Sequence, residues 1–330
     1  MKSNTKTKIE ILMILGIIFA VLTISNNKTD LNVISGEEIS RSNDIVNFDN
    51  KNLKTSKISQ SFQIIGNSGW VTFKNDGNCT GSGTYPDPYV IKDLVIDGKG
   101  WLVGIWIEDT DVFFKIENCT IYNVTGSNKG GIKLVNVING QLINNNVSNN
   151  GGYGIILTDS NNNIIMGNVV TNNYVRSGIV LHDSSNNLIS GNILTGNNFG
   201  ISIHNSKSNY NNVSGNTLNN HVGAISISYA SYNDVLDNTV SNNTSYGISL
   251  IEGNYTKIIG NNANSNHQGI KTEDSFYNTI SGNTVNYNVR GISIVRSDYN
   301  AISNNIVNIN SECAFHLDRS DHNTISSNIV

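Results

Sequence analysis

The dipeptide Gly-Ile recurs at Gly131, Gly154, Gly178, Gly200, Gly247, Gly269 and Gly291, with Ala224-Ile225 and Ala314-Phe315 filling the gaps. Successive positions lie 22 to 24 residues apart over nine copies, and a less regular copy begins at Gly104. A fixed period of that length means a solenoid, in which each repeat buries its apolar face against its neighbours. Within a copy the residues one and three past the glycine are apolar: Ile155 and Leu157, Ile179 and Leu181, Ile201 and Ile203. Thr272 is the polar exception. Alternation of period two marks a strand with one face turned inward. A second apolar column runs Leu142, Ile165, Ile189, Val213 and onward, and a third runs Val147, Val170, Leu194, Leu218 and onward. Three short strands per period, separated by Asn, Gly and Ser, describe one coil of a parallel β-helix.

An asparagine stands between the second and third columns in every copy, from Asn145 through Asn216 and Asn238 to Asn328. Coils stack at about the strand spacing of ~4.8 Å. Equivalent amides can then pair up and down the stack. Asparagine also tolerates the left-handed backbone that tight corners require. A second asparagine column holds Asn163, Asn187, Asn211, Asn233, Asn278, Asn300 and Asn323. A leucine-rich repeat shares the period, but it needs an L-x-x-L-x-L run and commonly a helical return. Here Ile and Val fill the columns, and no copy has helical periodicity. Left-handed β-helices run on shorter hexapeptide-based coils. The expected fold is therefore all-β, a right-handed single-stranded parallel β-helix of about ten coils of 22–24 residues.

Only 14% of residues are charged and 38% are hydrophobic. That balance, with so much Asn, Ser and Gly, would read as disorder if the Ile and Val were not periodic. The net charge is -4, and Lys and Arg are scattered, which excludes a nucleic-acid stripe. Residues 1–26 differ from the rest: Lys2, Lys6 and Lys8 precede an apolar run from Ile11 to Ile24. This is the pattern of an export signal, or of an uncleaved membrane anchor, although the run is shorter than the roughly 20 residues of a spanning helix. The protein is expected to be secreted or at the cell surface, touching membrane only through this segment. Residues 27–88 read as a polar linker and N-terminal cap, and residues 89–330 as the solenoid. N-x-S/T sequons occur at Asn78, Asn118, Asn123, Asn146, Asn212, Asn242, Asn243 and Asn254, each weak evidence of glycosylation in so Asn-rich a chain. Cys79, Cys119 and Cys313 are an odd number and form no disulfide framework or metal knuckle. The last copy, NTISSNIV, puts Val330 in the third column with no capping unit after it. An open coil of that kind would self-associate, or be covered by further coils in a longer chain.

In a solenoid, residues one period apart become neighbours, so sites are sought along columns. The positions four and five past the glycine give Asp159, His182, Asp183, His204 and Asn205 on three adjacent coils. His and Asp at that spacing would bind a divalent metal or form an acid–base pair. The plainer reading is a row of solvated turn residues. Farther along come Glu252, Asp274, Arg296 and Arg319, with Glu273 beside them, and these read first as a ladder of opposite charges. Tyr232, Tyr255, Tyr277 and Tyr299 each stand directly before a ladder position. They form either an aromatic strip for a linear glycan or a turn ladder that stabilises the stack.

The pattern G-I-x-I-x-x-S-x-x-N-x-I-x-x-N-x-V resembles the right-handed parallel β-helix proteins of the NosD and pectin-lyase-like group. The stretch GNCTGSGTYPDPYVIKDLVIDG, residues 77–98, resembles the lead-in that such surface proteins place before their first coils. The resemblance implies carbohydrate binding or sugar hydrolysis. Its lyase branch would imply Ca²⁺ on acidic side chains, here Glu252 and Asp274, with Arg296 taking a proton from the sugar. The hydrolase branch would imply N-x-D, D-D, H-G and R-x-K motifs. This chain has no D-D, H-G or R-x-K, and its only N-x-D, Asn47-Phe48-Asp49, precedes the coils. The NosD name is associated with copper, whose soft sites need Met or Cys, and outside the N-terminal segment the only Met is Met166. The reading that results is an exported β-helix that binds glycan or serves a structural role, with no cofactor. The alternative is a polysaccharide lyase, epimerase or hydrolase acting on acidic sugars, with Ca²⁺ under the lyase form.

Overall fold

The structure, a computed structural model, describes residues 57–330 apart from 101, 102, 127 and 128. The expected export segment lies outside the described residues. Among them, no helix is long and apolar enough to cross a membrane.

The described chain winds through three parallel sheets of eleven, eleven and nine strands. The Gly-Ile sheet runs from Phe62–Ile65 to Cys313–Asp318. The second-column sheet runs from Tyr89–Lys92 to Thr324–Ser326, and the third-column sheet from Lys57–Ser59 to Asn262–Asn264. Registers join whole periods: Ile155 pairs with Ile179, Ile201 with Ile225, and Ile225 with Ile248. Past Asn264 the third column persists only as single bridges, Asn262 to Thr284, Thr284 to Ile306 and Ile306 to Ile329. The inward columns are fully buried, with Ile155, Leu157, Ile165 and Val170 all at 0% exposure. All of this is the coil expected from the period.

The solenoid begins earlier than residue 89. Strands Lys57–Ser59 and Phe62–Ile65 already pair with Leu94–Asp97 and Ile105–Thr110, inside the segment read as linker and cap. The period hides this coil because Ile64 pairs with Ile107, across an insertion that includes helix α1, Gly66–Asn75. Trp70 of α1 is fully buried and packs on Tyr89 and Phe114, with ring centroids 5.2 and 4.8 Å away. The helix thereby covers the apolar interior of the first coils.

The asparagine columns are buried ladders. Asn238 is typical: its Oδ1 accepts from the backbone N–H of Asn216 at 3.0 Å and from Asn216 Nδ2 at 2.9 Å. Its own Nδ2 donates to Val213 O at 2.8 Å and to Asn261 Oδ1 at 3.0 Å. The Asn163 column repeats the scheme, with Thr256 replacing one amide. A third ladder escaped the reading of the sequence: Asn150, Asn173, Asn197, His221, Asn243, Asn266, Asn288 and Asn310. Its signal was a polar residue three positions past the third apolar column.

His221 takes an amide's place in that ladder. Its Nδ1 accepts from Asn197 N–H at 3.1 Å, and its Nε2 lies 3.2 Å from Leu194 O. The neutral ring protonated on Nε2 therefore accepts and donates as the asparagine amide does. Burial holds its pKa below the ordinary histidine value, against the pull of the Asn197 and Leu194 carbonyls beside the ring. The unfolded ring, with a pKa of about 6.5, takes up a proton before the folded ring does. Stability should thus be full above that value and fall as pH drops below it. His221→Asn restores an amide and should make this dependence shallower, leaving the slope contributed by His182 and His204, whose pKa values burial also lowers. Melting temperatures of both proteins between neutral and mildly acidic pH test this. Parallel curves would show that His221 is not the group responsible.

Candidate functional site

The tyrosine column is a continuous ring stack. Tyr210, Tyr232, Tyr255, Tyr277, Tyr299 and His322 follow one another with centroids 5.1, 5.0, 5.3, 5.1 and 4.8 Å apart and planes within 17°. Tyr210 and His322 extend the four rings expected from the sequence, and both directly precede ladder asparagines. All six residues have left-handed φ, from 53° to 59°. Such a backbone costs a non-glycine residue about 1–2 kcal/mol, and ring stacking of about 0.5–1.5 kcal/mol per pair offsets part of it. The four expected tyrosines are 44–50% exposed. Because the rings face one another, what they offer to solvent is mainly edges and hydroxyls.

The charged column is internally satisfied. Arg296 Nε and Nη2 donate to the two carboxylate oxygens of Asp274 at 2.8 and 2.9 Å, and Nη2 also donates to Glu273. Lys271 Nζ lies 2.6 Å from the other oxygen of Glu273. The Lys271 ammonium, and then Arg296, hold the Glu273 carboxyl below the usual range, and Arg296 does the same for Asp274. Arg296 itself is held further above its already high pKa by these carboxylates. A guanidinium so clamped is a poor proton acceptor. Glu252 stands one coil before Asp274 on the same left-handed corner, with φ of 50° and 48°.

The structure brings His182 and His204 together. Their rings stack at 5.5 Å, and Tyr153 meets His182 edge-on at 6.4 Å. Burial, and then the neighbouring His182, push the His204 pKa down to about 4. Burial also lowers that of His182, against the pull of Asp183. Both rings are neutral at neutral pH and free to exchange hydrogen bonds. Asp183 accepts from Asn205 Nδ2 at 2.9 Å, while Asp159 is exposed at its own corner. No cluster of three or more His, Cys, Asp or Glu able to share a metal ion occurs among the described residues.

The histidines edge a larger feature of the same sheet. The outward residues of the Gly-Ile sheet form three rows. The middle row is Ile156, Val180, Ser202, Ser226 and Ser249, each at most 7% exposed. One flanking row carries Tyr153, Ser177, Phe199, Gly223 and Tyr246, and the other Thr158, His182, His204, Ser228 and Ile251. Phe199 and Tyr246 lean toward Gly223 from either side, with centroids 6.4 Å apart. A Cβ on Gly223 would lie 2.3 Å from the Tyr246 ring, so glycine there makes the seat for it. Burial raises the Tyr246 pKa, against the pull of the neighbouring Ser226 hydroxyl. Ser249 Oγ and Gln268 Oε1 are buried without a partner among the described residues. The sequence signal was an aromatic residue directly before the repeat glycine, in YG at Tyr153 and Tyr246 and FG at Phe199.

Three parallel sheets stacked in period, with asparagine-filled corners, define a right-handed parallel β-helix. Two family descriptions match the sequence: "Right handed beta helix region" over residues 78–240, and "Periplasmic copper-binding protein (NosD)" over residues 202–330. No curated protein sequence matches the chain. Among solved structures, a double mutant of the periplasmic alginate epimerase AlgG is 13% identical with a TM-score of 0.53, over 83% of this chain and 85% of that one. The Dettilon tailspike protein is 13% identical with a TM-score of 0.60, over 79% of this chain and 61% of that one. The A-module of the Azotobacter vinelandii mannuronan C-5 epimerase AlgE4 is 16% identical with a TM-score of 0.54, over 72% of this chain and 73% of that one. At these identities the likeness is one of fold. The residues present do not fit the copper of the NosD description. Residues 202–330 contain one sulfur donor, Cys313, and no methionine, and the described histidines and carboxylates do not converge.

Proposed function

We propose that this chain is an exported β-helix module that binds a polysaccharide lengthwise along the outer face of its Gly-Ile sheet. The observation that carries the reading is the axial row of Tyr153, Phe199 and Tyr246 beside the neutral His182 and His204, over a floor that passes from Ile156 and Val180 to Ser202, Ser226 and Ser249. Aromatic rings offer apolar contact to the C–H faces of sugars, and neutral imidazole and hydroxyl groups hydrogen-bond to their hydroxyls. A polymer with a regular repeat suits a surface with a regular repeat. Two of the similar structures are named as epimerases of alginate or mannuronan, and the NosD description is of a periplasmic protein; both are compatible with an exported, sugar-facing role.

A lyase, epimerase or hydrolase role draws less support, because Arg296 is held by two carboxylates. The tyrosine stack is the second candidate face, and it would bind through hydroxyls and ring edges.

Affinity electrophoresis through neutral and uronate polysaccharides, with and without Ca²⁺, tests the reading. The wild type should be retarded by at least one polymer. Phe199→Ala with Tyr246→Ala should weaken that retention by roughly tenfold or more with the β-sheet circular dichroism unchanged. Tyr255→Ala with Tyr277→Ala should retain binding and melt lower. Loss of binding in the second pair alone would move the polymer to the tyrosine stack. No retention on any polymer, or release of new sugar ends from one, would overturn the module reading.

A further inference from the structure

The corner that leads from the third column back to the Gly-Ile strand varies in length. Gly178 follows its ladder residue Asn173 by five positions, whereas Gly200 follows Asn197 by three and Ala224 follows His221 by three. The next corner lengthens again, with Gly247 four positions after Asn243. Two short corners between two longer ones leave a recess. A cleft of about 410 Å³ lies there, lined by Tyr174 on one side, Asn242 and Thr244 on the other, and Asn198, Asn220 and Val222 between. That volume falls in the lower part of the range of small-molecule sites, about 300–1,000 Å³.

The chemistry of the lining is specific. Tyr174 is 67% exposed on the longest of these corners, and its ring is not among the stacked ones. Among the described residues, the side-chain amides of Asn198, Asn220 and Asn242 have no hydrogen-bond partner. No lining residue is charged, and His221 beneath the cleft is held neutral by burial. An aromatic ring, three free amides, a threonine hydroxyl and one apolar edge match a ligand with both C–H faces and hydroxyls. The absence of Lys and Arg from the lining disfavours phosphate or uronate.

From this we infer that the cleft between Tyr174 and Thr244 is a second binding site, specific for a neutral sugar residue such as the end or a branch of a glycan. It builds on the reading of this protein as a glycan binder but does not use the Gly-Ile face. Tyr174 supplies the platform, and the amides read the hydroxyls.

Saturation-transfer NMR and calorimetry with free glucose, galactose, mannose, N-acetylglucosamine and glucuronate, on the full chain, test the site. At least one neutral sugar should bind and glucuronate should not. Tyr174→Ala should weaken that binding by roughly tenfold, while Tyr174→Phe, which keeps the ring, should largely retain it. Phe199→Ala with Tyr246→Ala should leave it unchanged. Equal binding by Tyr174→Ala, preference for glucuronate, or binding of no sugar would overturn the cleft proposal. Polymer retention without monosaccharide binding would overturn the cleft alone. Tyr174-dependent monosaccharide binding without polymer retention would overturn the lengthwise reading alone.

Discussion

Asn238→Leu should lower the stability of the solenoid by about 1–3 kcal/mol, because it strands a buried polar group. The group is the Asn216 N–H, which loses its acceptor, whereas the Val213 carbonyl loses Nδ2 but stays in the parallel ladder with the next coil. Asn216 Nδ2 suffers less, since it also donates to Ile189 O at 2.9 Å. Asn261 Oδ1 likewise keeps the Asn238 N–H at 2.9 Å. Leucine branches at Cγ as asparagine does, but its Cγ is tetrahedral and its methyls are bulkier than the planar amide, so packing adds to the loss rather than relieving it. For a chain of this size the change corresponds to a fall of roughly 2–5 °C in melting temperature. A variant that melts with the wild type would mean the amides contribute nothing net to the stack.

Gly269→Val should be at least as damaging, for a different reason. Gly269 has an ordinary backbone, so the demand is for space. A Cβ there would lie 2.2 Å from Val285 Cγ1 and 2.8 Å from both Asn288 Nδ2 and the Gly291 carbonyl. The repeat glycine is wedged between the third column of its own coil, the third ladder and the backbone of the next coil. A β-branched residue would have to separate two coils, costing about 3 kcal/mol or more. Gly269→Ala should be milder, because the chain itself places Ala224 and Ala314 at equivalent positions. Thermal unfolding of the two variants side by side checks the order. Equal melting of the Gly269→Val variant and the wild type would remove the steric explanation for the Gly-Ile pair.

Much of this was legible in the sequence because the period ties each residue to its neighbour above and below. Once Gly154, Gly178 and Gly200 are aligned, the inward columns, the Asn145 ladder and the adjacency of His182 and His204 follow without further information. The tyrosine stack was legible as a column, but which part of each ring meets solvent depends on side-chain angles that the period does not specify. The first coil was hidden because the insertion carrying α1 breaks the spacing between Ile64 and Ile107. The row of Tyr153, Phe199 and Tyr246 was hidden for another reason. Whether the residue before the glycine faces outward depends on the backbone at the glycine, where alternation is interrupted: Phe199 pairs with Gly223 and Ile201 with Ile225, and the pairing skips Gly200. The cleft was present as unequal corner lengths, but only the stacked backbone turns a difference in length into a recess.

The ladders have a direction. From Asn145 to Asn328 each side-chain amide that pairs along the stack donates forward to the next coil and accepts from the one before. The other two ladders run in the same sense. Amide dipoles aligned head to tail polarise one another, as those of an α-helix do. The interior of the solenoid therefore has an electrical polarity parallel to its axis, with oxygens toward earlier coils and N–H groups toward later ones. The Asn145 row carries it unbroken, whereas Thr256 and His221 interrupt the other two at different heights. A disturbance in one amide should thus be felt most by amides above and below it in the same row, and little by side chains at the same height on another sheet.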